Sequence, residues 1–334
     1  MRRIFLLLII LIAFMPKAGA KKFGKNNKII VAYVTSWTNV TPDPFCMTHI
    51  NYAFGGVNQT FNGVDISNPT RLHEIAALKE QNPQLKVLLS IGGWGAGRFS
   101  EMAASPFNRH AFAKDCRRIV KEFNLDGIDI DWEYPTQSSA NISSSPEDTQ
   151  NYTALMHDLR KALGKKKLLT CATIASGEYI DFLNCIKYIN FVNVMSYDMA
   201  NPPKHHSALY PSSISGWMTT SQAIENHIKN GVPKDKIVMG MPFYGRGDNK
   251  YRAYPKDSDP SIKELWSEES QVPYLANEKG ELVYGFDNPR SLAIKCQYII
   301  DHNLRGAMYW EYADDNEQGD KRNTLAKSLL RNNH

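Results

Sequence analysis

Eight short apolar runs, most of them separated by amphipathic stretches, constrain the fold more than any other feature of the sequence. They lie at 29–34, 49–54, 86–91, 125–131, 168–175, 191–197, 236–244 and 305–310. Apolar strands that alternate with helical segments are typical of repeated βα units around a parallel sheet. No Gly-x-Gly-x-x-Gly phosphate loop follows the first run, which disfavours a dinucleotide-binding sheet. The sequence therefore predicts an α/β fold, a closed (β/α)8 TIM barrel in preference to an open doubly wound sheet.

Helical patterns lie between several of these runs. Residues 108–124 have apolar side chains spaced for one buried face. A second helix is predicted from 146 to 163, where Gly164 stops it, and a third from 290 to about 302 after an Asn-Pro start. The first crossover, 35–48, is too short and proline-rich for a full helix.

The longest gap between strands separates the seventh from the eighth, at 246–285. It contains its own aromatic and proline residues, and we interpret it as a short insertion on the catalytic face of the barrel. Residues 320–333 are expected to form a closing helix. Since no linker composition marks a boundary, residues 21–334 are predicted to form one catalytic domain.

The first 20 residues have the pattern of a secretory signal peptide. Arg2 and Arg3 precede an apolar run from 4 to 15, and small residues at 18–20 follow. The run of about 12 apolar residues is shorter than the ~20 that span a bilayer, so a membrane anchor is disfavoured. We expect cleavage near Ala20 and a secreted or periplasmic protein without a membrane span.

Charge and cysteine content exclude several classes of function. Removing residues 1–20 takes away three positive charges and lowers the formal charge from +5 to +2, which gives no reason to expect nucleic acid as a partner. Five cysteines are too few and too irregular for a disulfide framework or a zinc site, and those at 171 and 296 are expected to be buried free thiols. His205 and His206 lie in a polar loop, and we interpret them as solvated rather than as metal ligands.

Acidic and apolar residues alternate in the segment 126–135, which is DGIDIDWEYP. Alternate side chains of a strand share a face, so Asp129, Asp131 and Glu133 point one way. The two isoleucines and Trp132 between them point the other way. Because the outer face of a barrel packs on helices, the apolar set belongs there and the three acids line the interior.

Three stacked acids on a buried face predict a functional site. An unpaired buried charge costs roughly several kcal/mol per ion. We therefore expect at least one of the three acids to stay protonated near neutral pH. The alternative, a solvent-exposed strand edge, is disfavoured by the flanking apolar residues. Glu133, last on the strand, lies at the carboxyl-end mouth where barrel enzymes carry out chemistry, and it is the best candidate for a general acid.

The segment 126–135 resembles the D-x-x-D-x-D-x-E signature of glycoside hydrolase family 18, the chitinases and their relatives. Four other segments resemble further motifs of that family, in the same order along the chain: SIGGWG (90–95), MSYD (195–198), GMPFYGR (240–246) and AMYWEY (307–312). The resemblance covers nearly the whole chain after residue 20, and the combination of the five motifs in this order is far more specific than any one of them.

The resemblance implies a retaining glycoside hydrolase that cleaves β-1,4-linked N-acetylglucosamine in chitin or chito-oligosaccharides. In this family the substrate's own acetamido group is the nucleophile. Glu133 would then protonate the leaving oxygen, and Asp131 would orient the acetamide while sharing a proton with Asp129. Tyr197 would donate to the acetamide carbonyl.

Other positions are expected to hold the sugar. Trp310 would form the apolar floor of the site, with Asp198 nearby. Further sugar or supporting contacts are predicted for Tyr33, Ser90, Trp94, Tyr244 and Arg246. Trp37 and Trp217 are weaker candidates for stacking platforms, whereas Trp132 is expected to be structural, and barrel filling is the alternative for Tyr197 and Tyr244. No cofactor or metal is implied, and we expect a monomer.

Two other functions remain open at this stage. An endo-β-N-acetylglucosaminidase acting on N-glycans would share the acid strand, and a sugar-binding lectin could be built on an inactive barrel. The presence of Glu133 disfavours the lectin. The insertion at 246–285 is short, which predicts an open groove suited to soluble oligosaccharides or exposed chain ends rather than to processive action.

Overall fold

Residues 28–248 and 259–330 are described by the computed structural model. Within them the chain forms thirteen strands: β1 (Ile29–Thr35), β2 (His49–Val57), β3 (Val64–Ile66), β4 (Lys86–Gly92), β5 (Gly127–Asp131), β6 (Leu168–Ile174), β7 (Phe191–Met195), β8 (Ile237–Pro242), β9 (Arg246–Gly247), β10 (Lys263–Ser267), β11 (Val272–Ala276), β12 (Leu282–Gly285) and β13 (Gly306–Trp310).

Eight of these strands form a closed parallel barrel. Their order is β1-β13-β8-β7-β6-β5-β4-β2, and pairing of β1 with β2 closes the ring. The short β3 runs antiparallel to β2 outside the ring. The predicted (β/α)8 barrel is confirmed, and each predicted strand is present with ends that shift by at most a few residues.

Helices surround the barrel: α1 (Pro69–Gln81), α2 (Phe99–Ala104), α3 (Pro106–Glu122), α4 (Asp148–Leu163), α5 (Phe182–Cys185), α6 (Thr220–Lys229), α7 (Pro289–Asp301) and α8 (Asp320–Leu325). The predicted helices correspond to α3, α4 and α7. Asn288 caps α7 by accepting from the Ser291 N–H, and Pro289 occupies the first turn, where no N–H is needed. The first crossover contains no helix, as predicted.

Two apolar layers lie on either side of the barrel wall. The outer layer, between strands and helices, includes Ile128, Ile130 and Trp132. A smaller inner cluster fills the barrel and includes Tyr33 and Tyr197. The alternation in β5 therefore has the predicted sense, with apolar side chains directed at the helices and acids directed inward.

The insertion between β8 and β13 is a small antiparallel sheet with the order β10-β11-β12-β9. It lies at the carboxyl end of the barrel, where Tyr284 of β12 contributes to the main cleft. The predicted closing helix is shorter than expected in its α-helical part, since α8 passes into a π-helical segment at Ala326–Leu330. Residues 331–333 of that prediction are outside the described part of the chain.

The predicted signal peptide, residues 1–20, also lies outside the described residues. In the ranges that are described, none of the helices is both long and apolar enough to cross a membrane. All five cysteines are buried, and within the described residues none of them is in a disulfide bond. Cys171 and Cys296 are completely buried, as predicted for packed thiols in apolar elements.

Candidate active site

The three acids of the DGIDIDWEYP segment, which we call the carboxylate column (Asp129, Asp131 and Glu133), begin deep inside the barrel. Asp129 is fully buried and accepts hydrogen bonds on both carboxylate oxygens. The donors are the hydroxyls of Tyr33 (2.8 Å), Ser90 (2.8 Å) and Thr170 (2.5 Å) and the amide of Asn193 (3.2 Å). Burial raises the pKa of Asp129, and all four donors oppose that rise.

Asp131, one pleat higher, has no comparable support. It is 3% exposed, and its Oδ1 has no hydrogen-bond partner within the described residues. Burial raises the pKa of Asp131 well above its ordinary value, and the adjacent charges of Glu133 and Asp129 raise it further. Asp131 is therefore the member of the column best suited to hold a proton at neutral pH.

Glu133 ends the column at the mouth of the barrel, half-buried in the wall of the main cleft. Burial raises the pKa of Glu133 to about 7, against a hydrogen bond from Tyr134 and with a contribution from the charge of Asp198. A carboxylic acid with a pKa near the working pH can give up a proton and later take one back. Its position and its pKa both suit a general acid.

The cleft above the column is a cavity of about 880 Å³ at the carboxyl ends of the barrel strands. That volume is in the range usual for small-molecule sites. Of the residues predicted to act on or hold a ligand, the structure places the following in its wall: Tyr33, Trp94, Asp131, Glu133, Tyr197, Asp198, Tyr244, Arg246 and Trp310. Asp129 and Ser90 are not in the wall, because they lie beneath it.

A cluster of aromatic side chains forms the floor of the cleft. Trp310 stacks on Phe54, with ring centroids 5.5 Å apart and planes 17° apart, and it also contacts Tyr33 at 5.6 Å. Trp37 contacts the same indole at 6.5 Å. Neighbouring rings on several sides hold Trp310 in place, and its remaining face can pack against the apolar side of a sugar.

Tyr197 lies two residues beyond the end of β7 and lines the cleft. Its hydroxyl contacts the Met308 thioether at 3.7 Å, which is a weak acceptor. Burial raises the pKa of Tyr197 well above its ordinary value, so the phenol keeps its proton. A protonated hydroxyl with only a weak partner can donate to a carbonyl oxygen placed in the cleft.

A second charged group lies beside Tyr197. Asp198 accepts from the hydroxyl of Tyr244 at 2.6 Å and from Arg246 through Nε at 2.7 Å and Nη2 at 2.5 Å. Partial burial would raise the pKa of Asp198, but the contact with His206 and the bonds from Arg246 and Tyr244 outweigh it. The pKa of Asp198 is therefore below its ordinary range, and the group is a carboxylate.

Exposed tryptophans stand at the rim of the cleft. Trp94, Trp37 and Trp217 are 65%, 63% and 62% exposed, an unusual degree for indoles. Trp94 and Trp217 line the cavity directly. These positions fit the predicted stacking platforms, whereas Trp132 is buried against Phe99 as a structural residue.

A family model described as glycosyl hydrolases family 18 matches residues 29–315. The chain belongs to this family.

Similar proteins agree with the family match. Chitinase A1 of Niallia circulans is 27% identical over 97% of this chain, which spans 61% of that relative's length. Chitotriosidase-1 of Mus musculus is 30% identical, with 90% of this chain and 76% of the relative covered. A family 18 N-acetylglucosaminidase of Paenibacillus barengoltzii has a solved structure that superposes with a TM-score of 0.82 at 30% identity, over 90% of this chain and 100% of that one.

One sequence-based interpretation in this family 18 chain was wrong. His205 and His206 are not solvated, because both are completely buried, and His205 contacts Pro273 of the insertion. The polar residues around them suggested an exposed loop, and the sequence held no signal that a later sheet would cover it. In the described residues no group of three or more His, Cys, Asp or Glu side chains is arranged to hold a metal ion.

Sequence reasoning also missed cleft residues. Phe54, Tyr134 and Tyr284 line the cavity without having been proposed. A signal existed for the first, since it ends a predicted barrel strand at the mouth. Tyr134 follows Glu133 directly, but Tyr284 comes from the insertion, whose placement over the barrel could not be inferred from periodicity.

Proposed function

We propose that this chain is a retaining, substrate-assisted hydrolase of β-1,4-linked N-acetylglucosamine, acting on chitin or chito-oligosaccharides. The observation that carries the proposal is the carboxylate column. Its base is held by four donors, its middle member has an unpartnered oxygen, and its outermost member faces the cleft with a pKa of about 7.

Each residue has a task in the proposed reaction. Glu133 donates its proton to the glycosidic oxygen as the bond to C1 breaks. The acetamide carbonyl oxygen of the same sugar attacks C1 and gives a cyclic oxazolinium ion, which water then opens with Glu133 as base. Asp131 shares its proton with Asp129, and once that proton lies on Asp129 the ionised Asp131 accepts from the acetamide N–H and offsets the positive charge. Tyr197 donates to the acetamide oxygen.

The remaining cleft residues hold the sugar in place. Trp310 supports the ring from below, and Trp94 offers an exposed face at the rim for a neighbouring sugar. Tyr244 and Arg246 fix the carboxylate of Asp198, whose exposed part can accept from a sugar hydroxyl. The role of Ser90 and Tyr33 is to hold Asp129 in position beneath Asp131.

Product analysis on three substrates tests the proposal. The purified chain is incubated with chitotetraose, chitohexaose and a glycopeptide with an N-glycan, and the anomer released first is read by proton NMR. We expect cleavage of the two chito-oligomers with the β-anomer formed first. An initial α-product would rule out a retaining, substrate-assisted reaction.

The same assay separates the two other functions. Release of free N-glycan with no turnover of chitotetraose would indicate an endo-β-N-acetylglucosaminidase. Binding of chito-oligomers without turnover of any substrate would indicate a lectin. Size-exclusion chromatography of the active fraction then tests the proposed monomeric state.

We also propose that residues 1–20 direct export and are removed, so that the enzyme works outside the cytoplasm. The charged start, the apolar run and the small residues at 18–20 support this. The expected result is a secreted or periplasmic form whose intact mass begins near Lys21. Full-length protein retained in the cytosol would contradict the proposal.

A further inference from the structure

His206 lies in the segment between β7 and α6, directly behind the wall of the cleft. Its side chain is completely buried. One face of the ring lies near His205, with centroids 5.6 Å apart and planes 28° apart. The ring of Tyr244 lies 5.4 Å away, at 51°. The imidazole therefore has little room to move.

The position of the ring nitrogen Nδ1 indicates that Asp198 is the partner of His206. Nδ1 lies 3.5 Å from the Asp198 carboxylate Oδ1, and neither nitrogen has a conventional hydrogen bond within the described residues. Burial lowers the pKa of His206, and the nearby carboxylate opposes that shift only in part. A neutral imidazole has one N–H, and the nearby carboxylate is the natural acceptor for it.

The neighbouring His205 anchors this arrangement to the insertion. Its Nε2 lies 3.1 Å from the carbonyl oxygens of both Pro273 and Phe286, and its Nδ1 accepts from the Ser207 N–H at 3.1 Å. These contacts assign the proton to Nε2, since a carbonyl only accepts. Burial lowers the pKa of His205 to about 3, so this ring is neutral too. His205, against which His206 packs, is therefore held by backbone groups outside the barrel.

We propose that His206 is a positioning residue of the active site. From its buried place between His205 and Tyr244, it holds the Asp198 carboxylate in the orientation that faces the cleft. Tyr244 and Arg246 hold the same carboxylate from the solvent side. The insertion, which contacts His205, thereby contributes to sugar binding through His206, whose side chain does not touch the sugar. This inference rests on the proposed function, because it assumes that the cleft binds chito-oligomers.

The test removes the ring N–H and keeps the ring. His206→Phe is compared with His206→Asn, whose side-chain amide can take the place of Nδ1 and still donate to Asp198. Each change is made in the wild type for kinetics and in a Glu133→Gln background for binding of chitotetraose by calorimetry. Loss of a donor to a carboxylate should raise both KM and Kd about tenfold in the Phe variant, while the Asn variant stays within about threefold of its parent.

His227→Phe is the matched control. His227 is equally buried, and it bonds to Thr173 and to the Ala223 carbonyl on the outer side of the barrel, away from the cleft. Its replacement should lower the melting temperature and leave KM and Kd unchanged. If His206→Phe does not fold, His206→Leu removes the same donor and takes its place.

Two outcomes would overturn the inference. One is a Phe or Leu variant whose KM and Kd stay within twofold of the parent, even if its melting temperature falls. The other is an Asn variant that binds no better than the Phe variant. A chain that binds chitotetraose without cleaving it contradicts the proposed function, but the Kd comparison still tests His206.

Discussion

Asp129 and Glu133 are four residues apart on one extended segment, yet the barrel gives them opposite surroundings. Asp129 receives hydrogen bonds from side chains of four different strands, β1, β4, β6 and β7. Glu133 is half-buried at the cleft, and burial raises its pKa to about 7. The lower acid is held and the upper acid is left ready to exchange a proton.

The difference teaches that position along the barrel axis decides what a carboxylate does. Deep inside a closed barrel, neighbouring strands supply donors from all sides, so a charge can be satisfied there. At the mouth the wall opens and donors become fewer, and partial burial then acts on the pKa with less opposition. Asp131 lies between these two environments, which explains why it is buried and yet has an unpartnered oxygen.

The largest effect that the comparison predicts is on catalysis. Glu133→Gln removes the proton donor but keeps the shape of the side chain, so kcat on chitotetraose should fall about 10²–10⁴-fold while binding persists. Initial rates and calorimetric Kd values measure the two effects separately. Activity within tenfold of the wild type would mean that a group other than Glu133 donates the proton to the glycosidic oxygen.

The next effect is on stability and concerns the lower acid. Asp129→Asn places an NH2 group among four donors, so at least one of them loses its acceptor. We expect a loss of about 1–3 kcal/mol in the free energy of unfolding by urea. Glu133→Gln is the matched control, since the same chemical change at the mouth leaves no donor cluster unsatisfied. Equal losses in the two variants would contradict the contrast between base and mouth.

The contrast itself was partly predictable from the sequence. Alternation in the segment 126–135 was enough to place the acids inside and the apolar residues outside, because a strand has a period of two. The eight apolar runs likewise predicted the barrel. Asn193 and Thr170 were not predicted as donors to Asp129, since the register between strands decides which side chains meet and no local pattern encodes it.

The histidine pair shows where such reasoning fails. His205 and His206 are surrounded in sequence by polar residues and prolines, and the expectation of a solvated loop followed from composition alone. His205 contacts Pro273 and Phe286, which are more than 60 residues away along the chain, and His206 packs against His205. A contact with a later insertion is a tertiary property, and hydrophobic periodicity carries no information about it.

A smaller effect is expected in the pH dependence of activity. A general acid must be protonated, so kcat/KM should decline as pH rises through about 7, the pKa of Glu133, and fall about tenfold per unit above it. Asp198 stays ionised across that range because its pKa is lowered. A profile on chitotetraose from pH 4 to 9 provides the measurement. A flat profile up to pH 9 would mean that the protonation state of Glu133 does not control the rate.

The smallest effect is a change in stability with pH at the mouth of the cleft. Because folding raises the pKa of Glu133 from its ordinary 4.5 to about 7, its contribution to stability is complete below the unfolded value and is lost as pH rises through the folded value. Glutamine does not titrate, so the free energy of unfolding of Glu133→Gln should increase relative to that of the wild type between pH 5 and pH 8. Allowing for solvent screening of a half-buried group, the gain should be about 1 kcal/mol, or about 2 °C in Tm. A Tm difference between Glu133→Gln and wild type that stays constant from pH 5 to 8 would mean that the mouth of the cleft does not disfavour the ionised acid.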